Sequence, residues 1–133
     1  ISKILIPKSV GLCDVATFKN CVNLTSIVFE DGGDVPLYVG GDLWLENTQV
    51  TILVLPFKTY RIRGYWRRGS NLNTLYVKST IPPILEHGWG DNPDTCDLYV
   101  PIGCKEVYAS ATNWGSFRTI TEYDFDLNPN NVH

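Results

Sequence analysis

A chain of 133 residues with 44% hydrophobic and 19% charged side chains has the composition of one globular domain with one core, which excludes an intrinsically disordered protein. Its 11 Lys and Arg against 14 Asp and Glu give a net charge of −3, which argues against a dedicated nucleic-acid-binding protein. No apolar stretch approaches the ~18 residues that span a bilayer, so membrane insertion is not expected.

Five short segments share an apolar-x-apolar pattern and begin 22 to 26 residues apart. They are Ile4–Ile6, Ile27–Phe29, Leu53–Leu55, Leu75–Val77 and Leu98–Val100, and Ile120 follows at the same spacing. An apolar residue stands three positions before three of them, at Leu24, Val50 and Leu72. The unit is therefore L-x-x-L-x-L, which is the leucine-rich-repeat pattern at its usual period.

This pattern predicts a repeat solenoid of the α+β class, with about five turns of 22–26 residues and short parallel strands. We expect the solenoid to cover residues 1–123, including a C-terminal helical cap at about 102–120, and residues 124–133 to form a partly mobile tail. In each strand the first and third residues should face the core and the middle residue should face outward. The predicted outward row consists of Leu5, Val28, Val54, Tyr76 and Tyr99.

Both ends of the chain resemble a known family. The N-terminal stretch IPKSVGLCDVATFKNCVNLTSIVFEDG is similar to the repeat unit of BspA-like leucine-rich-repeat surface proteins of Bacteroidetes. The stretches TIPPILEHGW and CDLYVPIGCKEVYASATNWGSFRTITEY resemble the closing unit of the same proteins. The resemblance implies a secreted or cell-surface protein that is non-catalytic and serves as an adhesin or interaction module.

The segment YRIRGYWRRG, residues 60–69, is the most basic part of the chain. Its candidate ligand-binding residues are Tyr60, Arg61, Arg63, Tyr65, Arg67 and Arg68. Trp66 falls near the position that Trp44 and Trp89 occupy in other units, so we expect all three indoles in the core. Arginines that pair with carboxylates on adjacent turns would form a solvated outer coat. Arginines that converge beside exposed tyrosines without such partners would bind an anionic glycan or an acidic protein face.

The second candidate surface is the outward row of the strands, where Tyr76 and Tyr99 offer amphipathic contact area. Taken with the resemblance, which implies an extracellular and non-catalytic protein, the two surfaces favour an interaction module that binds an extracellular protein or glycan and no nucleic acid. The alternative is a structural segment that terminates or spaces a longer surface array and has no ligand of its own.

Metal, disulfide and catalytic signals are weak. The four cysteines have no C-x-x-C spacing for a metal site, and the predicted strands hold Cys96 beyond disulfide reach of Cys104 and Cys21. We therefore expect free thiols, with Cys13 and Cys21 as small buried hydrophobes. Carboxylates cluster in EDGGD and in DFDLN, but Pro129 stands where a calcium loop needs glycine, so no metal site is expected. His87 lies in a predicted turn, and no catalytic motif accompanies it, so neither a cofactor nor an enzymatic activity is predicted.

The two ends of the predicted solenoid differ. Residues 105–111 place Val107, Tyr108 and Ala111 on one helical face, with Trp114 beyond them, which favours a cap over the last turn. The chain begins almost directly in a strand and contains no Met. We therefore expect a processed or truncated product whose uncapped N-terminal edge is available for self-association.

Overall fold

A computed structural model of the protein describes residues 2–14, 18–40, 44–64, 69–86, 88–89 and 93–126, with the backbone alone for 12–14. Within these ranges it contains short strands, one α-helix and a single 3-10 turn at Pro93–Thr95. The elements are β1 (Lys3–Ile6), β2 (Leu12–Asp14), β3 (Ser26–Phe29), β4 (Leu37–Gly40), β5 (Ile52–Leu55), β6 (Thr59–Arg63), β7 (Thr74–Val77), β8 (Ile84–Leu85), β9 (Asp97–Pro101), α1 (Lys105–Ser110) and β10 (Thr119–Tyr123).

The strands stack in parallel on two flanks. The first flank contains the β1–β3 pair and the four-stranded sheet β5–β7–β9–β10, and the second flank is the sheet β2–β4–β6–β8. Strands of the two flanks alternate along the chain through β8, so each turn supplies one strand to each flank. The predicted repeat solenoid of about five turns is confirmed. The sequence predicted only the first flank, and the second is a finding of the structure.

The core lies between the flanks and follows the strand register. On the first flank Leu53, Leu75, Leu98 and Ile120 occupy equivalent positions in neighbouring strands, and Ile4 is the partner of Ile27. Leu53, Leu75 and Leu98 are fully buried, as their place in the repeat predicted. Because each buried row contacts the row of the next turn, the apolar face of one turn is covered by its neighbours.

Two of the three repeat tryptophans lie in the core, as predicted. Trp44 packs edge-on against Phe18 with ring centroids 5.2 Å apart, and Trp89 packs edge-on against Trp114 at 5.0 Å. Trp66 lies outside the described residues. These aromatic rings fill the interior of successive turns, where backbone spacing alone would leave voids.

One member of the predicted outward row is buried instead of exposed. Leu5 is 60% exposed, and the other members except Val54 are half-buried. Val54 is only 7% exposed. Its partner in the register is Tyr76, and a small side chain beside a large one on the same face of a sheet loses most of its accessible surface.

The fifth turn carries α1 where earlier turns carry a second-flank strand. Tyr108 and Trp114 are buried, and they tie this turn to the previous one. The Tyr108 hydroxyl donates to the Ser79 carbonyl at 2.7 Å, and Trp114 Nε1 donates to the Pro83 carbonyl at 3.0 Å. Val107 is 45% exposed, so its predicted place on the packed face is wrong because the six-residue helix turns it toward solvent.

The described cysteines form no disulfide, as expected, but Cys21 is less buried than predicted. These cysteines are Cys21, Cys96 and Cys104, and the side chain of Cys13 lies outside what the structure describes. Cys96 and Cys104 are buried, whereas Cys21 is half-buried against the core. Burial raises the pKa of the Cys104 thiol, with a smaller contribution from the nearby Glu122 carboxylate, which keeps this thiol protonated.

Candidate functional site

The structure describes only part of the basic segment. Tyr60, Arg61 and Arg63 lie on β6, whereas Tyr65, Arg67 and Arg68 lie outside the described residues. The β6 register shifts by one residue against β4, which is a β-bulge. As a result Tyr60 and Arg61 both lie on the outer side, while Thr59 and Ile62 on either side of them are buried.

Arg61 pairs with a carboxylate on the adjacent turn. Its Nη2 atom lies 2.9 Å from Glu86 Oε2, and the Tyr38 hydroxyl donates to the other oxygen of the same carboxylate. The guanidinium carbon also lies 5.6 Å from the centroid of the Tyr38 ring, which Tyr60 approaches edge-on at 6.3 Å. The hydrogen bond to Glu86 is the largest cause that raises the pKa of both Tyr38 and Arg61. Arg61 is therefore charge-compensated within the protein.

The outer side of the first flank carries an aromatic cluster, which we define as Tyr76, Tyr99, Tyr123 and Phe125. Tyr76 and Tyr99 are register partners, and their rings stack with centroids 4.5 Å apart and planes inclined by 14°. Tyr123 meets both rings edge-on at 5.3 and 6.0 Å, and Phe125 meets Tyr76 at 6.3 Å. Burial, followed by the neighbouring Tyr99 and Tyr123, raises the pKa of Tyr76 and keeps its phenol neutral.

Beside the aromatic cluster runs an open groove of about 750 Å³, called the carboxyl-edge groove below. The described residues that line it are Asp31, Gly32, Phe57, Lys78, Thr80, Pro101, Ile102, Tyr123, Asp124, Phe125 and Asp126. They belong to the ends of β3, β5, β7, β9 and β10 or to the residues that follow these strands. Because the strands are parallel and stacked, segments distant in sequence meet along one edge.

The groove combines carboxylates with exposed apolar side chains. Three carboxylates and one ammonium group line it, which leaves a formal charge of −2. Lys78 Nζ lies 3.0 Å from Asp31 Oδ2 and 5.9 Å from the centroid of the Phe125 ring. Phe57 is 52% exposed and Ile102 is 63% exposed. The groove therefore offers aromatic and aliphatic contact area next to negative charge.

Asp31 is held in place by the loop that follows β3. Its Oδ1 atom accepts hydrogen bonds from the Gly32 amide at 3.1 Å and the Phe57 amide at 3.3 Å. Asp124 Oδ1 similarly accepts the Asp126 amide at 3.0 Å, which fixes a tight turn directly after β10. Backbone amides thus position the carboxylates of Asp31 and Asp124 in the groove lining.

The described residues of the groove do not form a cluster of metal ligands. Among the described residues, no group of three or more His, Cys, Asp or Glu side chains is arranged to hold a metal ion. Asn128 of the DFDLN stretch and His87 lie outside the described residues.

In the described part of the chain no helix has the length and apolar character needed to cross a membrane.

Sequence reasoning identified Tyr76 and Tyr99 and missed the residues around them. It noted the acidic stretches EDGGD and DFDLN but treated them separately, and the structure brings Asp31 of one and Asp124 of the other to a single groove. A usable signal was present, because both stretches directly follow a repeat strand and such positions align in a parallel stack. Tyr38 and Glu86 of the Arg61 contact were also missed.

No protein-family model matches this chain, and no curated protein matches it either. Function is therefore inferred from the two surfaces. Of these, the basic segment has its Arg61 paired with Glu86, and the aromatic cluster lies beside an open groove.

Proposed function

We propose that the protein is a non-catalytic interaction module of the BspA-like leucine-rich-repeat type, secreted or held at the cell surface. It binds an extracellular protein or glycan through the aromatic cluster and the carboxyl-edge groove. The sequence resemblance supports the family and the location, and the repeated L-x-x-L-x-L unit supports the leucine-rich-repeat type.

One observation carries this proposal: Tyr76, Tyr99 and Tyr123 assemble on the outer side of a rigid sheet, directly beside an open groove. Tyrosine rings supply large contact areas with little conformational entropy to lose, and they are enriched in protein interfaces for that reason. A stacked parallel sheet holds them with little backbone rearrangement on binding. This combination supports recognition more than catalysis.

The basic segment has weaker support as a ligand site. Arg61 already has the Glu86 carboxylate at 2.9 Å, so an anionic ligand would compete with an internal partner. This is the paired arrangement expected of a solvated outer coat. Arg63 is exposed on the same strand and lies outside the aromatic cluster and the carboxyl-edge groove.

A second candidate function is a spacer or terminating segment, and one observation favours it. Helix α1 follows β9 where earlier turns place a second-flank strand, and its Tyr108 is buried against the previous turn. We propose that this helix caps the second flank, since a solenoid needs its open sheet edge covered to stay soluble.

The proposal is tested with a glycan array and a panel of extracellular-matrix proteins probed with the purified protein. We expect a ligand whose binding weakens at least about tenfold in Tyr76→Ala/Tyr99→Ala, because interface tyrosines often contribute 2 kcal/mol or more. The matched control Arg61→Ala/Arg63→Ala should bind within about twofold of the wild type, as expected for residues outside the anchoring cluster.

The variants are compared by circular dichroism before binding is measured, so that unfolding is not mistaken for loss of a contact. Loss in the arginine control alone would move the site to the second flank. No binding of any glycan or protein by the folded wild type would contradict the interaction module and favour the spacer.

A further inference from the structure

We infer that the carboxyl-edge groove selects a basic polypeptide segment, with a Lys or Arg side chain of the partner placed against the groove's aromatic rings and beside its carboxylates. This inference rests on the proposed function, because it names the chemical class of ligand for the same site.

The charge of the groove complements a cation. Asp31, Asp124 and Asp126 line the groove together with Lys78, whose Nζ atom lies 3.0 Å from Asp31 Oδ2, while Lys58 is not part of the lining. Asp126 is exposed at the rim. A formal charge of −2 in a concave surface attracts cationic side chains and repels anionic glycans. The charge therefore disfavours acidic polysaccharides as occupants.

The aromatic rings of the groove already attract the chain's own ammonium groups. Lys78 Nζ lies 5.9 Å from the Phe125 centroid, and Lys58 Nζ lies 6.0 Å from the Phe57 centroid. Both distances are at the limit of about 6 Å within which the ring quadrupole attracts a cation. Phe57 is 52% exposed, so ring surface remains accessible to an incoming side chain.

The shape of the groove fits a segment of chain better than a single ion. Its volume of about 750 Å³ is within the ~300–1,000 Å³ typical of sites for drug-sized ligands. Pro101 and Ile102 line the same surface, and lysine and arginine bury their aliphatic stems against such apolar side chains while the charged group stays solvated. A neutral glycan would use the rings but would gain nothing from the net charge.

The two tyrosines best placed for sugar stacking already contact each other. Tyr76 and Tyr99 stack on each other with planes inclined by 14°, so each covers one ring face of the other. Each of these two tyrosines therefore offers one ring face fewer to a sugar, whereas the Phe57 ring of the groove is 52% exposed. The groove beside the cluster is therefore better suited to a basic side chain.

The test uses an N-acetylated peptide of alternating glycine and lysine that carries an uncharged fluorophore, titrated with the full chain and followed by fluorescence anisotropy. We expect binding that weakens as salt rises, and about 3- to 10-fold weaker binding for Asp124→Asn/Asp126→Asn at low salt. The control Asp94→Asn/Glu106→Gln removes the same charge from exposed positions outside the groove lining, and its binding should equal that of the wild type.

Phe57→Ala provides a second variant, because this exposed ring can be removed without opening the core. We expect it to weaken peptide binding about 2- to 5-fold, as removal of a cation–π contact would. Equal weakening in the groove variant and in its charge control would overturn the inference, since binding would then follow net charge alone.

A parallel titration with neutral oligosaccharides separates this inference from the proposed function. A sugar that binds through Tyr76 and Tyr99 and is indifferent to Asp124→Asn/Asp126→Asn would overturn the basic segment and leave the interaction module standing. If neither the lysine peptide nor any sugar or matrix protein binds the folded chain, both are overturned.

Discussion

Asp97 shows how a single side chain stabilises the edge of the first flank. Its carboxylate accepts hydrogen bonds from Arg118 Nε at 2.9 Å, Arg118 Nη2 at 2.8 Å and the Thr119 hydroxyl at 2.8 Å. These contacts, the Arg118 hydrogen bond foremost, lower the pKa of Asp97 from 3.8 to about 2. The carboxylate thereby joins β9 to β10.

The low pKa of Asp97 predicts a pH-dependent contribution to stability. Because the folded pKa is below the unfolded value, the contact stabilises the protein fully above about pH 4 and is lost as the pH falls toward 2. Asp97→Asn should lower the free energy of unfolding at pH 7 by about 0.5–1 kcal/mol, a value reduced by solvent screening at this partly exposed site. Urea unfolding at pH 7, 4 and 2.5 measures the difference.

Glu106→Gln serves as the comparison for this effect, because Glu106 is an exposed carboxylate on α1. Its change in unfolding free energy should stay near zero at all three pH values. If the Asp97→Asn difference were independent of pH, the charge of Asp97 would not be its cause.

Residue roles were predictable where the repeat imposed them and not elsewhere. The repeat placed Leu53, Leu75 and Leu98 in the core, as the structure confirms. It gave no sign that Arg61 would meet Glu86, because the contact depends on the pairing of β6 with β8 and on a bulge in β6. Long-range side-chain pairs of this kind require the register, which a single sequence does not contain.

At the scale of elements, the second flank was missed for a physical reason. First-flank strands follow a strict spacing, whereas β8 has two residues and β6 contains a bulge that breaks the alternation of inward and outward side chains. Short strands with broken alternation have no clear hydrophobic period. The helix at residues 105–110 was predicted because Tyr108 and Ala111 follow a helical spacing.

Helix α1 gives a prediction about packing between turns. Tyr108→Phe keeps the buried ring but removes the hydroxyl that donates to the Ser79 carbonyl at 2.7 Å. We expect the free energy of unfolding to fall by about 1–3 kcal/mol, because a buried acceptor loses its donor. Chemical denaturation with urea, under identical buffer conditions, measures the change.

Val107→Ala on the same helix is the matched control, since Val107 is largely solvent-exposed. Its effect should remain within about 0.5 kcal/mol. A larger loss in Val107→Ala than in Tyr108→Phe would show that the helix packs through its other face.

At the scale of the whole molecule, stability depends on contacts between adjacent turns. Strand β7 has β5 on one side and β9 on the other, whereas β1 pairs with β3 alone among the described strands. In a solenoid each turn is stabilised by its neighbours, so a turn with neighbours on both sides opens less often. The central turns should therefore form the most stable part.

Native-state hydrogen exchange followed by NMR tests this gradient. We expect hydrogen-bonded amides of β7 to exchange at least about tenfold more slowly than those of β1, which corresponds to roughly 1.4 kcal/mol in opening free energy. Leu75 and Val77 are buried at the centre, while Ile4 and Ile6 are only half-buried. Equal protection of all strands would indicate one cooperative unit instead of a graded stack.

The repeat architecture was predictable from the sequence because its period is nearly constant, while the groove was not. Its lining is drawn from the ends of five strands and from two acidic stretches at opposite ends of the chain. The length and path of the loop after each strand decide which residues meet in the groove. The repeat period in the sequence predicts the strands but does not predict the length and path of these loops.

The parallel strand ends that form the carboxyl-edge groove also set its length in steps of one turn. Each turn adds one strand end to its wall, and successive strands are spaced by ~4.8 Å. Duplicating one internal turn would lengthen the wall by that step without altering the side chains already present. If the groove binds a ligand as we propose, the number of turns would set the length of that ligand, and selectivity for longer or shorter partners would change with repeat number before any contact residue is replaced.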